Sequence, residues 1–375
     1  MLARAFRIVA INLMVFVGLL LSVELALQGI ALTWPSYEVL FLQPDRALGW
    51  KQVPNFQWRW AGHHWYAADF SVPVRTNANG FRDLDRATSK QDGTRRVALL
   101  GDSFIEAVQV PFESTAGQRL QQMLNASSSA APVRWEVLNF GISNYGVGQY
   151  LLTWDEYVHR FRPDYVAIFV AGLHMRRTVA RFEQGAFPAS RESLWVRPTF
   201  RIEGDRLVEE PARDFEEFVR VQNAVNHQDF GGQRSRIRRE LITLRYGRQL
   251  ARLVGDRVSA KPPSRDDAGL DGKTLEVNRK IIEELGRRVA SSGGRLIVLD
   301  VSRYFGDPDA VSQALRRMCE ANRFDYIAVY EDLLRANANG VSTRWRNDGH
   351  LNIAGNEILA GALLRSLERD GERRP

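Results

Sequence analysis

Residues 96–104 read RVALLGDSF, and this stretch decides both the fold and the place to look for chemistry. The run from Arg96 to Leu100 has the apolar, β-forming character of a short buried strand, and Gly101, Asp102 and Ser103 follow it directly. Comparable elements recur along the chain: a helix over Thr115–Leu124 and strands over Val133–Phe140 and Tyr165–Val170. Alternating strands and helices predict a parallel sheet with helices on both faces.

The alternation resumes near the carboxyl terminus. There the sequence predicts a helix bearing Ile281, Leu285 and Val289, strands over Leu296–Val301 and Tyr326–Tyr330, and a last helix bearing Leu359, Leu363 and Leu367. Between about 180 and 272 the pattern lapses, which predicts an insertion that carries a hairpin over Thr199–Glu210. The predicted fold is a three-layer, doubly wound, mostly parallel α/β sheet of the flavodoxin-like kind.

Composition excludes several classes of protein. The chain has 375 residues, 45% hydrophobic and 25% charged, which is globular, and its formal charge of +7 names no partner by itself. A single cysteine, Cys319, excludes an intramolecular disulfide and a multi-cysteine zinc site. The adjacent His63 and His64 point apart, so with Asp69 they make a poor metal site. We predict no metal and no cofactor.

The first residues predict a membrane anchor. Arg4 and Arg7 precede an uncharged run from Ile8 to Val23, and the apolar character continues to Trp34, enough to cross a hydrocarbon core of about 30 Å. A cleaved signal peptide is the competing interpretation, although the run is long for one. Glu24 is either a tolerated carboxyl near the interface or a contact with another membrane subunit.

Charge asymmetry orients this anchor. Basic residues come before the span and are sparse after it, so the amino terminus is expected in the cytoplasm and the main domain beyond the membrane. The Arg-rich composition favours a bacterial source, hence the inner membrane and a periplasmic or extracellular domain. We expect an anchor over 1–34, an extended juxtamembrane segment over 35–80 and an α/β domain over 81–375. Nucleic acid is not an expected partner there.

An Arg-rich run over 234–257 lies within the predicted insertion. Apolar residues recur in it at helical spacing, which fits a solvated helix. The alternative is a surface that contacts lipid headgroups or an acidic glycan.

Candidate chemistry lies at the carboxyl ends of the predicted strands, where doubly wound sheets bind their ligands. Ser103 at a strand-to-helix turn can present its hydroxyl above the sheet, with backbone N–H groups near to hold an oxyanion. Gly141 follows the second strand and, lacking Cβ, lets its own N–H approach a substrate. His174 follows the third strand. No Gly-x-Ser-x-Gly elbow and no phosphate-binding glycine loop are present.

His350 is the best candidate for the base that a serine nucleophile needs. Asp348 lies two residues before it, so a carboxylate can hold one ring nitrogen while the other takes the serine proton. The alternative for this pair is a helix cap with a surface histidine.

Taken together, these pieces resemble the SGNH (GDSL-like) hydrolase superfamily over roughly Thr76 to Leu367. The similarity lies in four blocks: VALLGDSF at 97–104, LNFG at 138–141, DGHLN at 348–352, and the lead-in TNANGFRD at 76–83, which is similar to that of membrane-anchored bacterial members. The resemblance implies that Ser103 is the nucleophile, His350 the base and Asp348 its orienting acid. It also implies that Ser103 and Gly141 donate backbone N–H groups to the oxyanion.

One block departs from the family pattern. The family usually has Gly-x-Asn after the third strand, where the Asn amide is a third oxyanion donor, and this chain has Gly172-Leu173-His174. His174 can replace that donor through a ring N–H, and Asn144 is a second candidate.

The resemblance implies a membrane-anchored serine esterase or O-acetyltransferase that acts on ester groups, in particular O-acetyl groups, of a cell-envelope or exported polysaccharide. Its partners would be an acylated glycan, membrane lipid around the anchor and a membrane protein such as an acyltransferase. The alternative is a degenerate SGNH-like domain that binds glycan or serves as an accessory subunit of a membrane complex. A lipid esterase is a third possibility.

Overall fold

The structure is a computed structural model that describes residues 2–33, 41–62, 69–127, 133–183, 195–220 and 270–372. His63, His64, the Arg-rich run over 234–257 and most of the predicted insertion lie outside the described residues. The chain divides into two compact units, one of which contains the amino-terminal helix and the other residues 37–225 and 269–375.

Helix α1 (Leu2–Thr33) is the amino-terminal element. Its segment Phe6–Leu27 is long and apolar enough to cross a membrane, as judged by length and composition. The apolar side chains of this segment are largely exposed, whereas Glu24 is buried.

The residues that follow α1 form two antiparallel hairpins in the same compact unit as the large sheet. Their strands are β1 (Leu42–Asp45), β2 (Gly49–Gln52), β3 (Gln57–Ala61) and β4 (Ser71–Arg75). Trp50, Trp58 and Trp60 are buried in the core, so the aromatic residues of this segment pack inward.

The remaining strands are β5 (Thr94–Leu100), β6 (Arg134–Asn139), β7 (Tyr165–Val170), β8 (Phe182–Glu183), β9 (Trp195–Val196), β10 (Thr199–Glu203), β11 (Arg206–Glu210), β12 (Arg295–Asp300) and β13 (Asp325–Ala328). Five of them form one sheet in the order β13-β12-β7-β5-β6, and every neighbouring pair is parallel. Numbered along the chain, this is the 2-1-3-4-5 order of flavodoxin-like folds. The predicted doubly wound sheet is confirmed.

Helices after α1 cover the sheet: α2 (Ser103–Glu106), α3 (Ala116–Ser127), α4 (Val147–Glu156), α5 (Gly172–Val179), α6 (Gly272–Ser291), α7 (Asp309–Asn322), α8 (Val329–Ala338) and α9 (Ile353–Glu372).

Strand β5 shows why helices pack on both faces of the sheet. Val97 and Leu99 belong to one hydrophobic cluster and Ala98 and Leu100 to the other, because successive strand residues face opposite sides of the sheet.

Two predicted elements deserve comparison with the structure. The predicted hairpin is confirmed, since β10 pairs with β11 from Thr199↔Glu210 to Glu203↔Arg206. The predicted strand over Tyr326–Tyr330 is too long at its end, because β13 stops at Ala328 and α8 begins at Val329. Glu331 and Asp332 lie in the first turn of α8, where carboxylates favour a helix start.

Candidate active site

Ser103 lies on a tight turn between β5 and α2 at the carboxyl edge of the sheet. Asp102 caps α2, and its Oδ1 accepts the N–H of Phe104 at 3.0 Å. Glycine at 101 allows this turn, because a Cβ there would lie 2.8 Å from Ile105 Cβ. The helix can therefore fold back over the end of the strand and hold Ser103 at its first position.

The structure brings Ser103, His350 and Asp348 together although the serine and the histidine are 247 residues apart. Ser103 Oγ lies 2.8 Å from His350 Nε2, and His350 Nδ1 lies 2.5 Å from Asp348 Oδ1. The same Asp348 oxygen accepts the backbone N–H of His350 at 2.9 Å. Because that carboxylate holds Nδ1–H, Nε2 is left as the acceptor for the serine proton.

Burial is graded across these groups. The side chain of Asp348 is 2% exposed and that of His350 is 27% exposed, so the acid lies inside and the base reaches the surface. The ring of Phe104 lies 5.0 Å from the imidazole and limits its freedom to rotate. Such an arrangement can activate a hydroxyl for attack on a carbonyl carbon.

Two side chains, His174 and Arg177, contact the carboxylate of Asp102, the residue before Ser103. Its Oδ2 lies 3.0 Å from His174 Nε2 and 3.0 Å from Arg177 Nη1. Burial would raise the pKa of Asp102, but these two side chains outweigh it and hold that pKa well below its usual range. Asp102 is therefore an anionic anchor under the nucleophile turn.

His174 does not occupy the position predicted for a third oxyanion donor. Its Nδ1 accepts the N–H of Ala171 at 2.9 Å, so the ring proton is on Nε2, which faces Asp102. The side chain is fully buried. Nδ1 bonds back to the helix cap, as the third residue of a helix can, and Nε2 lies against the Asp102 carboxylate.

The sequence predicts that the N–H of Gly141 is free to receive an oxyanion, but in the structure this N–H is hydrogen-bonded within the protein. Its N–H donates to Asn139 Oδ1 at 2.9 Å, and Asn139 Nδ2 donates to Ile105 O at 2.8 Å. The Asn139 side chain thus forms a local turn that ties the second strand to the nucleophile helix. Gly141 serves close packing here, and its amide already has an acceptor.

Two backbone amides, one of them that of the nucleophile itself, remain without an acceptor among the described residues. Within the part of the chain that the structure describes, the N–H groups of Ser103 and Asn144 donate to no acceptor. Asn144 has a left-handed φ of 65°. Arg177 links the turn at Asp102 to the loop that carries Asn144. Its Nη2 donates to Asn144 Oδ1 at 3.0 Å, and its Nη1 donates to Asp102 Oδ2. Asn144 is a predicted oxyanion donor, whereas no local pattern in the sequence points to Arg177.

Side chains from the lead-in block and from strand β2 contact the nucleophile helix α2. Arg82 donates to Glu106 O at 3.3 Å and Val110 O at 2.6 Å, which satisfies the last carbonyl of α2 and one in the segment that follows it. The carboxyl group of Glu106 accepts hydrogen bonds from Gln52 Nε2 and Ser143 Oγ. Arg82, Gln52 and Glu106 are all buried, so this network fixes α2 from three segments of the chain.

Glu106 makes stability depend on pH. Burial raises its pKa from 4.5 to about 7, against the lowering effect of Ser143. Between these two values the folded chain keeps a proton that the unfolded chain has lost, so stability falls as pH rises from 4.5 to 7. The loss is on the order of 3 kcal/mol. We expect Glu106→Gln to remove much of this fall, measured by denaturant unfolding at pH 5 and pH 8.

Glu113→Gln is the matched control, because Glu113 is an exposed carboxylate seven positions further along. It should leave the difference between the two pH values unchanged. If stability depended on pH equally in the natural chain and in Glu106→Gln, Glu106 would not be the group that causes the fall in stability. Asp83, whose pKa burial raises to about 6, adds a smaller fall of the same sign.

Comparison with solved structures finds hydrolases at low sequence identity. A putative GDSL-like lipase from Parabacteroides merdae is 12% identical, with a TM-score of 0.40 over 72% of this chain and 94% of that one. An acetylxylan esterase, Axe2 from Geobacillus stearothermophilus, is 14% identical, with a TM-score of 0.39 over 73% and 94%. LAE5, an α/β hydrolase from the Lake Arreo metagenome, is 16% identical, with a TM-score of 0.41 over 72% and 94%.

No family model matches the sequence, and no curated protein matches it either.

Proposed function

We propose that this chain is a membrane-anchored serine acyl esterase or O-acetyltransferase that acts on ester groups, chiefly O-acetyl groups, of a cell-envelope or exported polysaccharide. The observation that carries the proposal is the hydrogen-bonded series from Ser103 Oγ through His350 to Asp348. A nucleophile, a base and an orienting acid in contact are what acyl transfer through a covalent intermediate requires.

The geometry supports a two-step reaction. Ser103 Oγ attacks the ester carbonyl as His350 Nε2 takes its proton, and the amides of Ser103 and Asn144 receive the developing oxyanion. Collapse of the tetrahedral intermediate passes the proton from His350 to the leaving sugar oxygen and leaves the acyl group on Ser103. Water or a second sugar hydroxyl then attacks the acyl-enzyme, giving its proton to His350, which returns it to Ser103.

The choice of a glycan substrate rests on location and resemblance. The apolar segment Phe6–Leu27 would hold the domain at the outer face of a bacterial inner membrane, with the amino terminus in the cytoplasm. An enzyme fixed there meets polysaccharide as it is exported. A membrane acyltransferase that supplies the acyl group would be a natural partner.

A second candidate is an accessory or glycan-binding domain without turnover. It is favoured by the engaged states of Gly141 and His174, which leave fewer oxyanion donors than the family pattern implies. Removing one such donor typically lowers the rate by about 10²–10³-fold.

Covalent labelling separates these two candidates. The full chain in detergent is treated with a fluorophosphonate probe, which needs an activated serine but no knowledge of the substrate. We expect a single labelled site that disappears in Ser103→Ala and in His350→Ala. Ser291→Ala is the control, because Ser291 is an exposed serine at the end of α6 whose hydroxyl bonds only its own helix, and its labelling should equal that of the natural chain.

Acetyl release from O-acetylated polysaccharides then tests the substrate class, with and without a soluble sugar acceptor to reveal transfer. A folded chain that takes up no probe would overturn the enzymatic proposal and favour the accessory role. Labelling at Ser103 without acetyl release would retain the serine mechanism and exclude acetylated glycans as substrates.

A further inference from the structure

The second hairpin, formed by β3 and β4, contacts the loop that carries His350. Asp69, which leads into β4, accepts the backbone N–H of Asn347 on Oδ2 at 2.6 Å and its Nδ2 on Oδ1 at 2.9 Å. The ring of Phe70 lies 5.5 Å from that of Trp345. Two successive residues of the juxtamembrane segment therefore touch residues just before Asp348.

The base loop is closed at its stem by its own backbone. Trp345 N–H donates to His350 O at 3.1 Å, and Arg344 and Leu351 form an antiparallel bridge. Within this loop Asp348 Oδ1 holds both the amide and Nδ1 of His350. These bonds set the imidazole relative to Asp348, but they do not fix the tip of the loop relative to Ser103.

Asp69 supplies an external contact at that tip. Its two oxygens receive both donors of one residue, so the contact defines an orientation as well as a distance. Asn347 is exposed and Asp348, its neighbour, is buried. The bond to Asp69 therefore acts where the loop passes from solvent into the site.

We propose that Asp69 is a positioning residue for His350, so that the juxtamembrane segment is part of the active site. This inference rests on the proposed function, in which His350 takes the proton of Ser103. The same segment reaches the other half of the site, because Gln52 on β2 donates to Glu106 of the nucleophile helix. The segment thus contacts the supports of both the nucleophile and the base.

A double-mutant cycle tests the contact in the full chain. The rate of fluorophosphonate labelling is measured for Asp69→Ala, Asn347→Ala and both together, and for Asp69→Asn. We expect Asp69→Ala to slow labelling about 10-fold or more, because small misplacement of a reacting group is costly. Asn347→Ala should slow it less, because the backbone N–H of residue 347 can still donate to Asp69. The double variant should be no slower than Asp69→Ala, since loss of the Asp69 carboxylate already removes both hydrogen bonds. Asp69→Asn keeps an acceptor oxygen and should recover part of the rate.

Amide hydrogen exchange of the peptide that spans 345–350 gives a second readout that needs no activity. Exchange there should accelerate in Asp69→Ala. The control is Asp205→Ala, since Asp205 is an exposed hairpin aspartate bonded to Lys280, and it should change neither labelling nor this exchange.

The outcomes distinguish this inference from the proposed function. Unchanged exchange over 345–350 in Asp69→Ala would overturn the positioning role, as would rates that multiply in the double variant. If the natural chain takes up no probe, the proposed function fails, and exchange alone then decides whether Asp69 holds the loop.

Discussion

Ser103→Ala and His350→Ala are each expected to lower kcat for hydrolysis of an activated acetyl ester, such as p-nitrophenyl acetate, by about 10³- to 10⁶-fold. Without Ser103 there is no oxygen to form the acyl-enzyme. Without His350 the hydroxyl, whose hydrogen bond to Nε2 is 2.8 Å long, keeps its proton and remains a weak nucleophile. Initial rates of the purified full chain in detergent, from pH 6 to pH 9, measure both effects.

Because the two residues act as one unit, the double variant should be about as slow as either single variant. Asp348→Asn is expected to lower kcat by about 10⁴-fold, since an amide favours the wrong ring tautomer. His159→Ala is the control: its Nδ1 contacts Trp154 O, and its rate should match that of the natural chain. A rate in Ser103→Ala within threefold of the natural rate would contradict a serine mechanism.

The fold could be predicted because its strands are short apolar runs. Tyr165–Val170 is β7 as predicted, since all six residues are buried and the run shows no break. The order of strands in the sheet comes from pairing between residues far apart in sequence, which periodicity does not encode. The sequence predicts the doubly wound class, and the structure shows the order of the strands.

The catalytic candidates could be named for a similar reason. Ser103 directly follows a strand, and Asp348 and His350 are two residues apart, so each half has a local pattern. The residues that support these groups have no such local pattern in the sequence. Arg177 reaches Asp102 across 75 positions, and Asn347 meets Asp69 across 278. No spacing rule links such pairs, and only the folded chain brings them together.

Two local patterns in the sequence indicate that Gly141 and His174 are hydrogen-bonded within the protein. Asn139 lies two residues before Gly141, the spacing at which an Asn side chain accepts a following backbone N–H. His174 is the third residue of α5, from which a polar side chain bonds back to the cap. Both patterns predict engaged groups, and they correct the sequence-based assignment of Gly141 and His174 as free donors.

Gly141→Ala is expected to lower the rate of fluorophosphonate labelling by about 100-fold or more. A Cβ at this position would lie 2.7 Å from the carbonyl carbon of Ile105 and closer still to Glu106 N, both of them backbone atoms of the helix that begins at Ser103. To reach an ordinary contact, the separation must widen from 2.7 Å to at least 3.4 Å. Since backbone cannot swing aside as a side chain can, α2 must move, and displacement of a nucleophile on the order of 1 Å costs about 10²-fold in rate.

Gly117→Ala is the matched control for this change. Gly117 lies in α3, where a new Cβ would meet Leu99 Cδ1 at 3.4 Å, an ordinary contact. Alanine there should stabilise the chain by about 0.5–1 kcal/mol through helix propensity and leave labelling unchanged. The same methyl group thus has opposite effects at two buried glycines, because only one of them touches the backbone of the nucleophile helix. Normal labelling of Gly141→Ala would mean that α2 can shift without moving Ser103 from His350, and the close packing of Gly141 would then have no part in catalysis.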